Sequence, residues 1–287
     1  MKILALLDGR PGNDNQTIAI AEKLGEYETL KVEFGFWAKL PNFLLGRSLI
    51  GVKTPISQAP DIVISTGRKL ARVAAYMKLK THCKAIQLMH PQMNIANFDL
   101  VFVPEHDGIV PHKNLHTTFG APNRIDAELL QKHYGKFPSD INVALIGNIS
   151  VQDVAKLAKI PNLYVSTSRR TKLEVIEELN IIHPMFMYVW EPAKEKPLEN
   201  PYYNLLDAAK NIIVSADSVG MISEACTTGK NVFVFGSAKK SKFKNFIIRL
   251  IKGGYLKPIS DFGASWEVKK LSTRDHVVKI IKNYIES

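Results

Sequence analysis

Short runs of consecutive apolar residues, each closed by a glycine or a polar turn and followed by helical periodicity, recur along the whole chain. Residues 2–7, 30–36, 61–65, 84–89 and 99–103 read as strands, with helices over 15–24 and 69–77. The pattern then restarts. Strands are expected at 141–146, 163–166, 185–190, 211–215 and 231–235, with helices at 151–158, 171–179, 202–209 and 218–227. A strand that is apolar on both faces must be covered on both faces, and the helices between strands are what covers it. The pattern therefore predicts an α/β protein built from two successive, doubly wound domains. At 287 residues the chain has room for both, since domains commonly run to roughly 100–150 residues. The restart near Gly135-Lys136-Phe137-Pro138 sets the expected boundaries: a first domain over 1–138, a second over 139–270, and a terminal helix over 271–287 that can pack back on the first.

Composition closes several alternatives. With 46% hydrophobic and 23% charged residues the chain is neither disordered nor fibrous. Its two cysteines, Cys83 and Cys226, lie in apolar surroundings far apart in sequence, which favours a reducing compartment and a cytoplasmic protein. The apolar run at the N-terminus stops at Asp8, which suits a buried first strand better than a signal peptide. No run reaches the roughly 18 apolar residues of a membrane-spanning helix. A net charge of +11 calls for an anionic partner or surface, although most single lysines simply face water. Nucleic acid is not expected: a zinc-finger pattern, an RNP-like aromatic strand and a long basic helix are all missing.

In open α/β sheets, ligands bind just beyond the carboxyl ends of the strands. The first such turn is Asp8-Gly9-Arg10-Pro11-Gly12-Asn13-Asp14-Asn15-Gln16, where Asp14 or Asn15 can cap the next helix and the backbone can hold an anion or a sugar. It matches neither a Walker loop nor the dinucleotide fingerprint, so a plain capped turn is an equal reading. Gly67 and Arg68 occupy a second strand–helix turn. His90 and His106 follow later strands, where either can be an ordinary hydrogen-bonded loop histidine. In the second half, Ser168-Arg169-Arg170 stands at a strand–helix junction, where arginines can pair with a diphosphate. The segment 211–235 is the most informative. A strand ends in small residues, a helix opens at Asp217 or Ser218, and Glu224 lies about two turns in, flanked by Met221, Ile222, Ala225 and Cys226. Free N–H groups at that helix start can hold a diphosphate, and Glu224 can accept from vicinal ribose hydroxyls.

With these motifs in order, the sequence resembles the ELM1-like family, named for a plant mitochondrial-fission factor. The resemblance spans Gly9–Gln16, Ser65–Arg68, His90-Pro91, 98–107, Gly120-Ala121-Pro122, Thr167–Thr171 and 216–229. It implies a GT-B-type glycosyltransferase fold, in which two Rossmann-like doubly wound domains face each other across a cleft. The segment 215–229 also looks like the donor site of MurG-type enzymes, which points to Glu224 and the turn Asp217-Ser218. Two positions depart from the family pattern: Asn13, where its first turn often has histidine, and Asn148, where a second glycine often follows Gly147.

The expected activity is glycosyl transfer from a nucleoside-diphosphate sugar, the donor substrate, to a glycan or lipid-linked acceptor, with no cofactor. The expected donor-side residues are Ser168, Arg169, Arg170, Asp217, Ser218, Met221 and Glu224. The acceptor-side loops hold Gly9, Gly12, Asn15, Gln16, Gly67 and Arg68, with Asp14 and then His90 as candidate bases. The chain has no Asp-x-Asp pair for a donor-bound metal, so arginines and helix N-termini are expected to balance the leaving diphosphate. The alternative is a non-catalytic recruitment protein that keeps the fold, as the plant namesake recruits fission machinery. Residues 37–53 mix large apolar side chains with Lys39, Arg47 and Lys53, and residues 239–246 add a second basic stretch. They can lie on an anionic membrane, at the inner face of the cell membrane, or Trp37, Leu40, Phe43, Leu44 and Leu49 can pack under the first sheet.

Overall fold

Extended β-branched and aliphatic runs with no room for a polar face form the interior of two separate sheets. A computed structural model describes residues 1–107, 110, 112–191, 200–237 and 241–286, with the side chains of His106, Ser241 and Lys242 excepted. The chain divides into unit 1, Met1–Arg124 with Ser272–Ser287, and unit 2, Ile125–Leu271.

Unit 1 holds strands β1 (Ile3–Leu7), β2 (Tyr27–Lys31), β3 (Ile62–Thr66), β4 (Lys84–Leu88), β5 (Leu100–Pro104) and β6 (Leu115–Thr118). All pair in parallel, in the order β2-β1-β3-β4-β5-β6. Its helices are α1 (Pro11–Leu24), α2 (Asn42–Leu45) and α3 (Arg68–Thr81), together with a C-terminal helix, Thr273–Glu286. Alternate residues of each strand enter opposite cores, as the pleat requires. Leu4, Leu6, Val63 and Val101 meet Leu70, Val73 and Met77 of α3 on one face. Ile3, Ala5, Ile62 and Ile86 meet Ile20 and Ala21 of α1 and Val277, Val278 and Ile281 of the C-terminal helix on the other.

Unit 2 holds α4 (Ala127–Gln131), β7 (Ile141–Ile146), α5 (Val151–Val154), β8 (Leu163–Thr167), α6 (Leu173–Ile181), β9 (Phe186–Tyr188), α7 (Tyr202–Ala208), β10 (Ala209–Ser215), α8 (Val219–Thr227), β11 (Asn231–Phe235), α9 (Ser241–Lys252) and β12 (Lys257–Pro258); the C-terminal helix is α10. The sheet is again all parallel, in the order β12-β11-β10-β7-β8-β9. Every residue of β7 is buried, as is every residue of β3. Val154, Leu157, Val175 and Leu179 cover one face of this sheet.

Several elements depart from the sequence pattern. Helix α1 begins four residues early because Pro11 at its first turn has its φ preset and lacks only an N–H that the helix would leave unpaired. Asp14, Asn15 and Gln16 are therefore helical residues, and Arg10 takes the N-cap position without a side-chain bond. The second strand lies at 27–31, not 30–36: the edge position leaves its charged residues in solvent. Val32 and Phe34 pack on the core beyond it, and Phe34 bridges to Val52. Helix α3 runs on to Thr81, stopped by His82 in a left-handed conformation (φ 59°). β6 and α4, which carry little apolar periodicity, add to the pattern, while α5 has only four helical residues.

Residues 36–50 form no long helix, and few of them reach the core. A single 3-10 turn over Phe36–Lys39 and the short α2 are separated by Pro41, which blocks continuation. Ala38 and Leu45 are buried, whereas Trp37 is 60% exposed, Phe43 76% and Leu44 64%. Of the five residues offered as core, Leu49 packs against it. In the second basic stretch, Lys239 and Lys240 lie outside the described residues, as do the side chains of Ser241 and Lys242. No helix among the described residues is long and apolar enough to cross a membrane.

Candidate functional site

A parallel sheet opens a crevice where its strand order reverses, because the loops after the two adjacent strands leave on opposite faces. In unit 2 that point lies between β7 and β10. Gly147 follows β7, and Ala216-Asp217-Ser218 follows β10. The Gly147 N–H donates to Ser215 Oγ at 2.8 Å, and the Ser215 hydroxyl donates to Asp217 Oδ1 at 2.7 Å. The Asp217 carboxylate rests directly over Gly147, where any Cβ would collide with it. A side chain there would displace the carboxylate.

The turn after β8 folds against the same place. Thr171 donates to the Ile146 carbonyl at 2.8 Å and accepts from the Ser168 N–H at 2.9 Å. This turn carries Arg169 and Arg170 before α6 begins at Leu173, two residues later than the sequence pattern suggested, so both arginines stand at the junction as expected. A helix start there would set two cations against the positive end of the helix dipole, which the turn avoids. Arg170 Nη1 stands 3.1 Å from Asp217 Oδ2, and Nη2 reaches Met221 Sδ at 3.7 Å. Ser218 is the N-cap of α8, its hydroxyl accepting from the Met221 N–H at 3.3 Å. Arg170, Asp217, Ser218 and Met221 thus form one contact cluster.

Glu224 stands further along α8. The Tyr202 hydroxyl of α7 donates to its Oε2 at 2.6 Å. Glu224 as a residue is half-buried, and the protein packed around its carboxyl pushes the pKa up to about 7; the tyrosine bond pulls the other way. Burial and the adjacent acid in turn raise the Tyr202 hydroxyl well above its ordinary value.

Unit 1 reverses between β1 and β3. Asp8 follows β1 with its side chain 3% exposed, accepting from Asn13 Nδ2 at 3.2 Å and the Arg10 N–H at 3.2 Å. Asp14 reaches back to accept the Asp8 N–H at 2.9 Å, and burial, reinforced by nearby Asp8, raises its pKa. Gly9 and Gly67 both adopt positive φ, and a Cβ at Gly67 would press on Asn13. Gly12 and Asn15 lie in the opening turns of α1, and the Gln16 side chain donates to the Gly12 carbonyl at 2.9 Å. Arg68 turns away to donate to the Leu40 carbonyl at 2.6 Å. His90 Nδ1 accepts the Gln92 N–H at 3.0 Å, a bond within its own loop. The His106 side chain lies outside the described residues. Among the described residues no group of three or more histidines, cysteines and acids is placed to hold a metal.

Tyr202, Ser215, Gly147, Asp8 and Asn13 belong to these clusters without having been singled out as candidates. For Asp8, Gly147 and Ser215 the signal is their place at a strand end. Tyr202 carries none, since its partner is 22 residues away.

The fold is that of solved two-domain, Rossmann-like GT-B proteins. A Listeria monocytogenes protein assigned as a UDP-N-acetylglucosamine 2-epimerase superposes with a TM-score of 0.53 at 12% identity, covering 100% of this chain and 88% of that one. The Streptomyces sp. SF2575 glycosyltransferase SsfS6, complexed with thymidine diphosphate, gives 0.50 at 10% identity with 99% of each chain covered. Sequence relatives are nearer. The Rickettsia prowazekii uncharacterized protein RP120 is 30% identical over 88% of both chains. The Arabidopsis thaliana mitochondrial fission protein ELM1 is 27% identical over 74% of this chain and 61% of its own length. The family model described as mitochondrial fission ELM1 matches residues 11–285, and the chain belongs to that family.

Proposed function

We propose that this protein transfers a glycosyl group from a nucleoside-diphosphate sugar bound on unit 2. The observation that carries the reading is the cluster at the switch point of β7 and β10, where Arg170 meets the N-terminus of α8, with Arg169 on the same turn and Glu224 further along the same helix; together these groups have the chemistry to bind a diphosphate and its ribose. Arg169, Arg170 and the first turn of α8 would bear the charge that grows on the leaving diphosphate. Glu224 would accept the ribose hydroxyls. The thymidine diphosphate bound by the Streptomyces enzyme, on a similar fold, supports that class of ligand. On unit 1, the loops around Gly9 and Gly67 would receive a glycan or lipid-linked acceptor. Asp14, whose raised pKa suits proton uptake, is the first base, and His90 the second.

The reading extends to peripheral attachment at an anionic membrane, the inner face of the cell membrane. Phe36, Trp37, Phe43, Leu44 and Ile50 are all more than half exposed, beside exposed Lys39 and Arg47. Apolar side chains of this size seldom cluster in water without a partner surface, and basic residues draw such a patch to anionic lipid.

The test is calorimetry of UDP-, GDP-, CMP- and ADP-sugars with wild type and Glu224→Ala, followed by a turnover assay. Glu224→Ala should weaken binding by about 1.5–3 kcal/mol, the loss expected of charge-assisted hydrogen bonds. Binding without turnover would favour the recruitment reading, and no binding at all would remove the donor site.

A further inference from the structure

We infer that Asp217 is an internal competitor of the donor diphosphate, a carboxylate seated where the ligand's charge has to go; this rests on the donor-site reading above. The crevice between β7 and β10 is the place in unit 2 where an anion would find a strand-end amide, a helix N-terminus and an arginine together. The amide and the arginine are already engaged. The Gly147 N–H is spent on Ser215 Oγ, and the Ser215 hydroxyl on Asp217 Oδ1. Arg170 holds the other carboxylate oxygen at 3.1 Å and leans on the Asp217 carbonyl at 3.4 Å. The side chain is 12% exposed, and the absent side chain of Gly147 makes its space. The protein thus carries its own anion in the crevice.

A diphosphate bound here has to take Arg170 from Asp217 and sit within reach of a like charge. Arg169, exposed and with no ion pair among the described residues, is the cation left to meet the ligand first. The exchange lowers affinity for the nucleoside diphosphate and hastens its departure once the sugar has gone. It does not act on the nucleoside part, which carries no charge to be repelled.

Asp217→Asn tests this in the full chain. Asparagine has the same shape and still accepts from Ser215, but carries no charge; Asp217→Ser is the second variant, should the first fail to fold. UDP, GDP, ADP and TDP are titrated calorimetrically, each against its own nucleoside. The diphosphate that wild type binds best should bind about tenfold tighter to the variants, equal to about 1.4 kcal/mol, with its nucleoside unchanged. Equal or weaker diphosphate binding in a folded variant overturns the inference and leaves the donor site standing. If folded wild type and variants all fail to bind any of the four diphosphates, the donor-site reading falls as well.

Discussion

Replacing Glu224 with glutamine should make unit 2 more stable above neutral pH and leave it unchanged in acid. The carboxyl's pKa is about 7 in the folded protein against 4.5 for the free group. The folded state therefore holds a proton that the unfolded chain has released throughout that interval. Stability contributed by the protonated carboxyl is complete below about pH 4.5 and is lost as pH climbs toward 7, at about 1.4 kcal/mol per pH unit. The whole interval amounts to about 3 kcal/mol, trimmed to about 2–3 because Glu224 as a residue is half-buried. Glutamine cannot ionise and still accepts from the Tyr202 hydroxyl, so it escapes this loss. For a unit of this size, melting of the variant should rise by about 5–10 °C over wild type near pH 8 and coincide with it near pH 4.5. Circular dichroism melts across that range measure it. The same shift links to the proposed ligand: ribose hydroxyls donating to Glu224 would stabilise the carboxylate, so nucleotide binding near pH 6.5 should expel up to one proton, read as a heat that differs between buffers. Wild-type and glutamine curves that run parallel in pH would refute the argument.

Two further outcomes follow from the described geometry. Arg169→Ala with Arg170→Ala should weaken a nucleoside diphosphate well beyond its nucleoside, because guanidinium groups recognise phosphate and not the base; equal losses in calorimetry would make the arginines structural. Phe43→Ser with Leu44→Ser removes two exposed apolar groups that the core does not use, so the variant should fold while losing salt-sensitive co-sedimentation with anionic vesicles; wild type that stays in the supernatant at low salt would discard the membrane role.

Much of the fold is legible in the sequence where burial is symmetric. Ile141–Ile146 and Asn231–Phe235 have the expected limits because apolar residues end where the strand does. The pattern loses its force at edges. Tyr27–Lys31 carries charge and has no fully buried residue, so the nearby apolar Val32 and Phe34 draw the expected strand a few residues too far along. Proline misleads in the opposite sense: Pro11 looks like part of a turn and is the first residue of a helix. Trp37, Phe43 and Leu44 show a different limit, since hydrophobicity says that a residue needs cover and not which cover it has. The candidate clusters were legible in the same uneven way. Strand-end positions mark Asp217, Ser218 and Arg170, but the carboxylate over Gly147 and the hydroxyl of Tyr202 against Glu224 are products of tertiary packing.

The division of the chain also bears on how it is made. Unit 2 is one continuous stretch, Ile125–Leu271, set between the two segments that form unit 1. A ribosome delivers every residue of unit 2 before it delivers α10, and domains begin to fold as they emerge. Until α10 arrives, Ile20 and Ala21 of α1 and Ile3, Ile62 and Ile86 of the sheet lack the cover that Val277, Val278 and Ile281 give them. The Tyr284 hydroxyl, which donates to Asp99 at 2.8 Å, and Thr273, which donates to the Phe119 carbonyl at 2.5 Å, are equally late. The half of the protein that is synthesised first is therefore the half completed last, and one side of its sheet waits, only partly covered by α1, through the synthesis of its neighbour.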